Sequence, residues 1–336
     1  MISSIKIILK NLELKKFNKI RIFFTGATGF LGSNLIEYLV KNKNYNFEIT
    51  ALTRDKKNAQ KIRNLVGLKI NWIENDILNL KHEGDNYDIF FHLACPSAEE
   101  TFLGMDSVVK FNTVVHGTQN LLEFAVKSNI KKFIFTSSGS VYGDYSKKYK
   151  YVPESFIPSL DYNNANNALG ISKKVAEFLC LNYAQKYKFE TTIFRCFSFV
   201  GKNLPLNLHY AIGNFILQAY KKNKIILSGP KDTFRSYLHV SDFCEWITTV
   251  SLSKNKNKNN IYNLGSDKSV SMFELAKIIA SKFDKKIEIK SLNKKESIGN
   301  LYRQYYIPNM KLMRSQFNLI EKYDLHFSIN EIIKNL

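Results

Sequence analysis

The sequence predicts an α/β protein: a doubly wound parallel sheet, Rossmann in type, carrying a smaller C-terminal lobe. Three observations lead there. From about Lys19 to Gly201, short apolar runs alternate with segments of helical spacing. A glycine-spaced turn stands between the first run and the first helical segment. From Lys202 onward the alternation gives way to irregular, loop-rich chain. With 336 residues, 45% of them hydrophobic, the chain is long enough for a large core and a second lobe.

The elements follow in order. "IRIFFTG" (Ile20 to Gly26) is a short apolar run closed by glycine, the pattern of a strand buried on both faces. "FLGSNLIEYLVKN" has helical apolar spacing. "FEITALTR" (Phe47 to Arg54), "LKINWIEND" (Leu68 to Asp76) and "YDIFFHLAC" (Tyr87 to Cys95) supply strands two to four. A helix is expected from about Val108 to Ser128, then a fifth strand and loop in "KKFIFTSSGSVYG" (Lys131 to Gly143). A helix from about Ala168 to Lys188 precedes the sixth strand, "FETTIFRCFSFVG". "YLHVSDFCEWITTVSLSK" and "NIYNLG" return to strand and helix character, and "SMFELAKIIASKF" opens a last helical segment. The low-complexity run "SLSKNKNKNNIY" (Ser251 to Tyr262) reads as a solvated loop.

Composition narrows the function classes. No apolar run reaches the roughly 18 residues of a membrane span. The N-terminal stretch lacks a small-residue cleavage site and reads as an extension. Cys95, Cys180, Cys196 and Cys244 are widely spaced, so neither a zinc site nor a disulfide framework is indicated, and a reducing, cytoplasmic setting follows. The formal net charge of +20 favours anionic partners. Its basic residues are scattered, which points to a phosphate-bearing ligand and compositional bias rather than a nucleic-acid surface.

"FFTGATGFLG" sets Gly26, Gly29 and Gly32 between a strand and a helix. Gly26 allows the tight turn, Gly29 lets backbone approach a pyrophosphate, and Gly32 lets helix and strand pack closely. The free N–H groups of the helix start then face the phosphates. The loop's Thr28, Phe30 and Leu31 join the same dinucleotide site, as do Ile77, Leu93 and Ala94 at the ends of later strands. Where the second strand ends, Arg54 favours the 2′-phosphate of NADP, while Asp55 leaves NAD open. Asp76 offers an acceptor to the adenine amino group, or else caps a turn.

"TGATGFLG", "FHLAC", "GTQNLLEFA", "FIFTSSGSVYG", "GISKKVAE", "RCFSFVG", "RSYLHVSD" and "YNLGSDKSVSMFELA" together resemble the extended short-chain dehydrogenases/reductases, NAD-dependent epimerase/dehydratase type. The likeness runs from about Lys19 to Leu319. It implies an N-terminal extension (1–18), an NAD(P)-binding domain (19–201, rejoined by about 231–265) and a lobe (mainly 202–336) that binds a nucleotide-diphosphate sugar. It implies homodimers through the two long helices, and hydride transfer at a sugar carbon.

In the family a Ser or Thr, a Tyr and a Lys carry that chemistry. Ser138 and Lys173 match the first and last; Leu169 falls where the tyrosine belongs. Tyr162, Tyr142, Cys95 or a water is then expected to move the proton, unless the reaction differs or the protein only binds its ligands. Gly139 and Ser140 stand where sugar-nucleotide 4,6-dehydratases carry Asp-Glu, which argues against that reaction. On the pyrophosphate side the resemblance assigns Arg235 and Asn214, with Arg303 as a further contact. His92 reads as structural, and His209 and His239 show no acidic partner in the sequence.

Overall fold

The computed structural model describes residues 19–336 apart from 63, 82–83, 97–99, 101–102, 146–147, 159, 209, 228, 254–258, 284–287 and 292–303. The expected extension, Arg303, His209 and the middle of the low-complexity run lie outside the described residues.

β1 (Ile20–Thr25), β2 (Phe47–Thr53), β3 (Asn71–Glu74), β4 (Ile89–His92), β5 (Lys132–Ser138) and β6 (Glu190–Cys196) form one sheet with strand Asn259–Leu264. Its order is Asn259–Leu264, β6, β5, β4, β1, β2, β3, and each neighbouring pair is parallel. The chain winds outward from β1 to β3, then returns to β4 on the other side of β1. That reversal opens a crevice at the carboxyl ends of β1 and β4.

Alternation explains why the strands read as unbroken apolar runs. Ile22 and Phe24 enter one core cluster and Phe23 the other. Phe91 and Ile134 join the first cluster; Phe90, Phe133 and Phe135 join the second. A strand covered on both faces has no polar side. Helices α1 (Phe30–Lys41) and α5 (Val240–Leu252) cover the first face. Helices α2 (Ser107–Lys127) and α3 (Ala168–Tyr187) cover the second and pack on each other.

The expected sixth strand is two pieces. After β6 the Phe197 N–H bonds to Leu264 O, and Phe199–Val200 leaves the sheet to pair with Leu238–His239. Gly201, at φ +140°, makes the turn that follows. The smaller lobe packs α4 (Ala211–Lys222), helix Met272–Ala280 and helix Leu325–Ile333 around a third cluster. Ser271 and Glu274 close a capping box at the start of Met272–Ala280. Strands Ser269–Ser271 and Tyr305–Tyr306 flank Phe234–Ser236 and carry the lobe back over the crevice. Beyond them Met310, Met313 and Leu319 enter the cluster that holds Ile22 and Phe24. The loop expected through Tyr262 ends early, because strand Asn259–Leu264 pairs along β6. Among the described residues no helix is long and apolar enough to cross a membrane.

Candidate active site

The crevice is a cleft of about 1830 Å³ between the sheet and the smaller lobe. A drug-sized ligand occupies roughly 300–1,000 Å³. The cleft therefore has room for two such molecules end to end.

Its inner end is the glycine turn. Gly26 has φ +76°, and a Cβ there would stand 2.6 Å from the Ala94 nitrogen. A Cβ on Gly32 would stand 2.0 Å from the Gly26 carbonyl oxygen, so helix and strand approach only because none exists. Gly29 differs. Its Cβ would meet nothing nearer than 3.5 Å, so the fold does not require glycine there and the space beside it is open. Gly29 is also the N-cap of α1, without a side-chain cap and with no acidic residue in the first turn. The first-turn N–H groups lack intrahelical acceptors and suit an anion. Thr28, Phe30, Leu31, Ile77, Leu93 and Ala94 line this part of the cleft with them.

Arg54 lines the cleft beyond the end of β2, but it is engaged. Its Nη1 donates to Glu100 Oε1 at 2.9 Å, and that bond raises the guanidinium pKa further. Asp55 turns away to cap the short helix Lys56–Ala59. Asp76 lines the cleft while its Oδ1 accepts from the Leu78 N–H at 2.8 Å, so the turn cap and the open position coexist.

At the middle of the cleft α3 meets β5. Gly170 lets the first turn of α3 press on the Ser140 carbonyl, which a Cβ would reach at 2.6 Å. One turn later Lys173 is only 3% exposed. Its Nζ donates to Thr136 O at 2.8 Å and stands 4.5 Å from the centre of the Phe135 ring. An ammonium has three donors, and among the described residues no carboxylate pairs with this one. A buried cation so sparsely bonded fits a further polar partner reaching in from the cleft, such as ribose hydroxyls. Ser138 Oγ accepts from the Ser140 N–H at 3.1 Å and from Ser140 Oγ at 2.9 Å. Its own hydrogen remains for an oxygen in the cleft. Leu169 lines the same wall, half-buried.

Beneath lies a buried network that sequence reading missed. Glu177 accepts from Ser137 Oγ at 2.6 Å, and from Arg195 at 3.0 Å and 2.8 Å. It ties α3 to β5 and β6, and so fixes Lys173. The signal was present: one charged residue inside each of two otherwise apolar runs, "VAEFL" and "IFRCF".

The outer end belongs to the smaller lobe. Arg235 lines the cleft, with Nη1 donating to Phe234 O at 2.7 Å. Asn214 on α4 lines it too, with its amide donating to Leu208 O.

The proton-transfer candidates and the histidines fall in different parts of the fold. Tyr142 cannot serve the cleft: it is fully buried, its hydroxyl donates to Asn263 and accepts from Arg195, and burial pushes its pKa up. Tyr162 is 81% exposed and does not line the cleft. Cys95 does line it, on the segment beside the glycine turn. His92 is held between Thr25 Oγ1 at 2.8 Å and Thr118 Oγ1 at 3.0 Å, and burial holds its pKa well below the usual range. His239 does have an acidic partner, Glu331, at 3.1 Å. The two are far apart in sequence and meet where the lobe closes on the sheet.

The sequence model of the NAD dependent epimerase/dehydratase family matches residues 22–265. The chain belongs to this family. UDP-glucuronic acid decarboxylase 3 of Arabidopsis thaliana, another relative, is 28% identical over 278 residues, 80% of this chain and 76% of that protein. MoeE5 in complex with UDP-glucose and NAD superposes with a TM-score of 0.76 at 21% identity, covering 94% of this chain and 97% of that one. UDP-glucuronic acid 4-epimerase from Bacillus cereus, with UDP-glucuronic acid and NAD, gives 0.77 at 21% identity, covering 94% and 98%. The likeness to these structures concerns the fold. For an epimerase/dehydratase-family enzyme the departure is local: Ser138 and Lys173 line the cleft, and Leu169 lines it with them.

Proposed function

We propose that this family member holds NAD and a uridine diphosphate sugar together in the cleft and acts by hydride transfer at a sugar carbon. The observation that carries the reading is Lys173, buried at the cleft wall beside Ser138 with donors to spare. With one carbonyl and one ring face as partners, the buried ammonium keeps N–H donors that a ligand hydroxyl in the cleft would satisfy. The names of the relatives support the sugar class: the decarboxylase relative and both solved neighbours concern UDP-glucose or UDP-glucuronic acid.

NAD, when bound, accepts and returns the hydride. Gly29 and the start of α1 would cradle its pyrophosphate, with Thr28, Phe30, Leu31 and Gly32 around it, and Lys173 would hold its ribose. Ile77, Leu93 and Ala94 would flank the adenine and ribose, with Asp76 toward the adenine amino group. Arg54 points toward NADP by type, yet Glu100 already neutralises it, so we take NAD as the cofactor. Ser138 would donate to the reacting sugar oxygen. Arg235 would bind the diphosphate of the sugar nucleotide, its fork suiting phosphate oxygens, with Asn214 beside it. A homodimer through α2 and α3 accords with the exposed Val108, Val109, Phe178 and Tyr187 on those helices. A cytoplasmic location accords with four free cysteines.

Leu169 supports a second reading, a protein that binds both ligands without turnover. Incubation of the purified chain with NAD and either UDP-glucose or UDP-glucuronic acid, followed by mass spectrometry and chromatography, separates the two. Product formation that Ser138→Ala abolishes is the expected result. Tight binding of both ligands without product establishes the second reading.

A further inference from the structure

We propose that Tyr306, from the far C-terminal strand, supplies the proton transfer that residue 169 cannot. The inference rests on the hydride-transfer reading above. Tyr306 lines the same cleft as Ser138, Leu169 and Lys173. Its phenol lies beside the serine turn: the Cβ that Gly139 lacks would stand 2.8 Å from Tyr306 Oη. Gly139 directly follows Ser138, so any side chain there would push the phenol out. The same missing Cβ makes room for Phe197, whose ring would lie 2.9 Å from it. Phe197 and Tyr306 pack with ring centres 4.8 Å apart, and Tyr306 Oη is 3.5 Å from the Cys196 carbonyl oxygen. Cys196 is the register partner of Ser138 across β5 and β6. The hydroxyl thus stands over the strand ends from which Ser138 projects.

The tyrosine is held from behind as well. Tyr306 is the register partner of Arg235, and that guanidinium lies 5.8 Å from its ring centre. Other candidates are placed less well. Tyr210 and Tyr237 line the cleft too, where burial pushes both phenol pKa values up, and Cys95 belongs to the glycine-turn side.

The step balances. As the sugar carbon is oxidised, its hydroxyl O–H bond breaks and the proton passes to the Tyr306 phenolate. The same carbon's C–H bond breaks with it, and its electron pair leaves as hydride, which NAD would accept. When the carbonyl is reduced, the same phenol gives its proton back to the oxygen.

Tyr306→Phe removes one oxygen and keeps the ring. With NAD and UDP-glucose or UDP-glucuronic acid as probes, the variant is expected to bind both within about threefold of wild type, yet to lose turnover by about 10²-fold or more, within the range for general acid–base groups. The ionisation limb of the wild-type pH–rate profile is expected to vanish with it. Leu169→Tyr added to Tyr306→Phe is expected to restore turnover, and thermal melts of all variants show that the fold is kept. If Tyr306→Phe destabilises the fold, Gly139→Ala, which displaces the phenol oxygen, takes its place and is expected to give the same loss. Turnover that survives Tyr306→Phe overturns the role of Tyr306 alone, and a loss that leaves the pH limb unchanged reduces it to positioning and overturns the proposal. A wild-type chain that binds both probes without turnover overturns the hydride-transfer reading, and this role falls with it.

Discussion

Arg195 Nη2 stands 2.8 Å from Glu177 Oε2, and both side chains are almost wholly buried. This pair lies under the cleft floor rather than on it. It joins the helix that carries Lys173 to the strand that ends at Cys196. A buried pair is costly to form, but breaking it by removing one partner leaves a charge stranded, at about 3–5 kcal/mol. Glu177→Gln is expected to lose stability of that order in urea denaturation. Replacing both residues, by Glu177→Gln with Arg195→Met, is expected to recover much of it. Losses that simply add, so that the double variant costs the sum of the two single variants, would show that the pair is not what binds α3 to the sheet.

Arg54 and Glu100 set a second expectation. Glu100→Gln releases the guanidinium, and a charge-assisted contact to a 2′-phosphate is worth about 1.5–3 kcal/mol. The NADP to NAD affinity ratio should therefore rise about tenfold or more by calorimetry. Arg54→Ala should instead weaken NADP more than NAD. An unchanged ratio in both variants would remove Arg54 from the ribose site.

The glycine turn separates folding from binding. Gly32→Ala drives a Cβ into the Gly26 carbonyl and should cost about 1–3 kcal/mol in stability. A Cβ on Gly29 meets nothing nearer than the Gly26 carbonyl oxygen at 3.5 Å, so the Gly29→Val melt should stay near wild type while NAD affinity collapses. A Gly29→Val chain that binds NAD normally would show that no pyrophosphate passes that point.

His92 gives a pH dependence with a definite sign. Its native pKa is lowered by burial first and by the nearby Lys173 charge second. The unfolded histidine takes up a proton below about pH 6.5, and the native one does not. Stability is then complete above that pH and falls as pH falls, by up to about 1.4 kcal/mol per unit for this group. His92→Gln should flatten the slope between pH 7.5 and 5.5 in urea titrations. His239, also lowered by burial, adds a smaller slope of the same sign, opposed by Glu331.

Much of the sheet was legible because both of its faces are covered, so each central strand is an uninterrupted apolar run. Gly26 and Gly32 were legible because a sterically forced turn leaves a mark in sequence. Leu169 was legible as a gap in a local motif, four residues from Lys173. The contacts that build the cleft were not. Glu100 reaches Arg54, Tyr306 reaches Gly139, and Glu331 reaches His239 only after distant segments fold together. No local periodicity records such meetings. Thr136 was hidden for another reason: it acts through its backbone carbonyl, which every residue possesses.

Met310, Met313 and Leu319 finish the apolar layer begun by Ile22 and Phe24. The Tyr262 hydroxyl donates to Gln316 across the same seam. During synthesis the strands near the start of the chain must therefore wait for residues near its end before their layer is closed. A nascent chain stopped before Met310 exposes that greasy face to chaperones and to its own kind. Shortening from the C-terminus should accordingly give aggregation on the ribosome or at release, rather than a soluble cofactor-binding fragment.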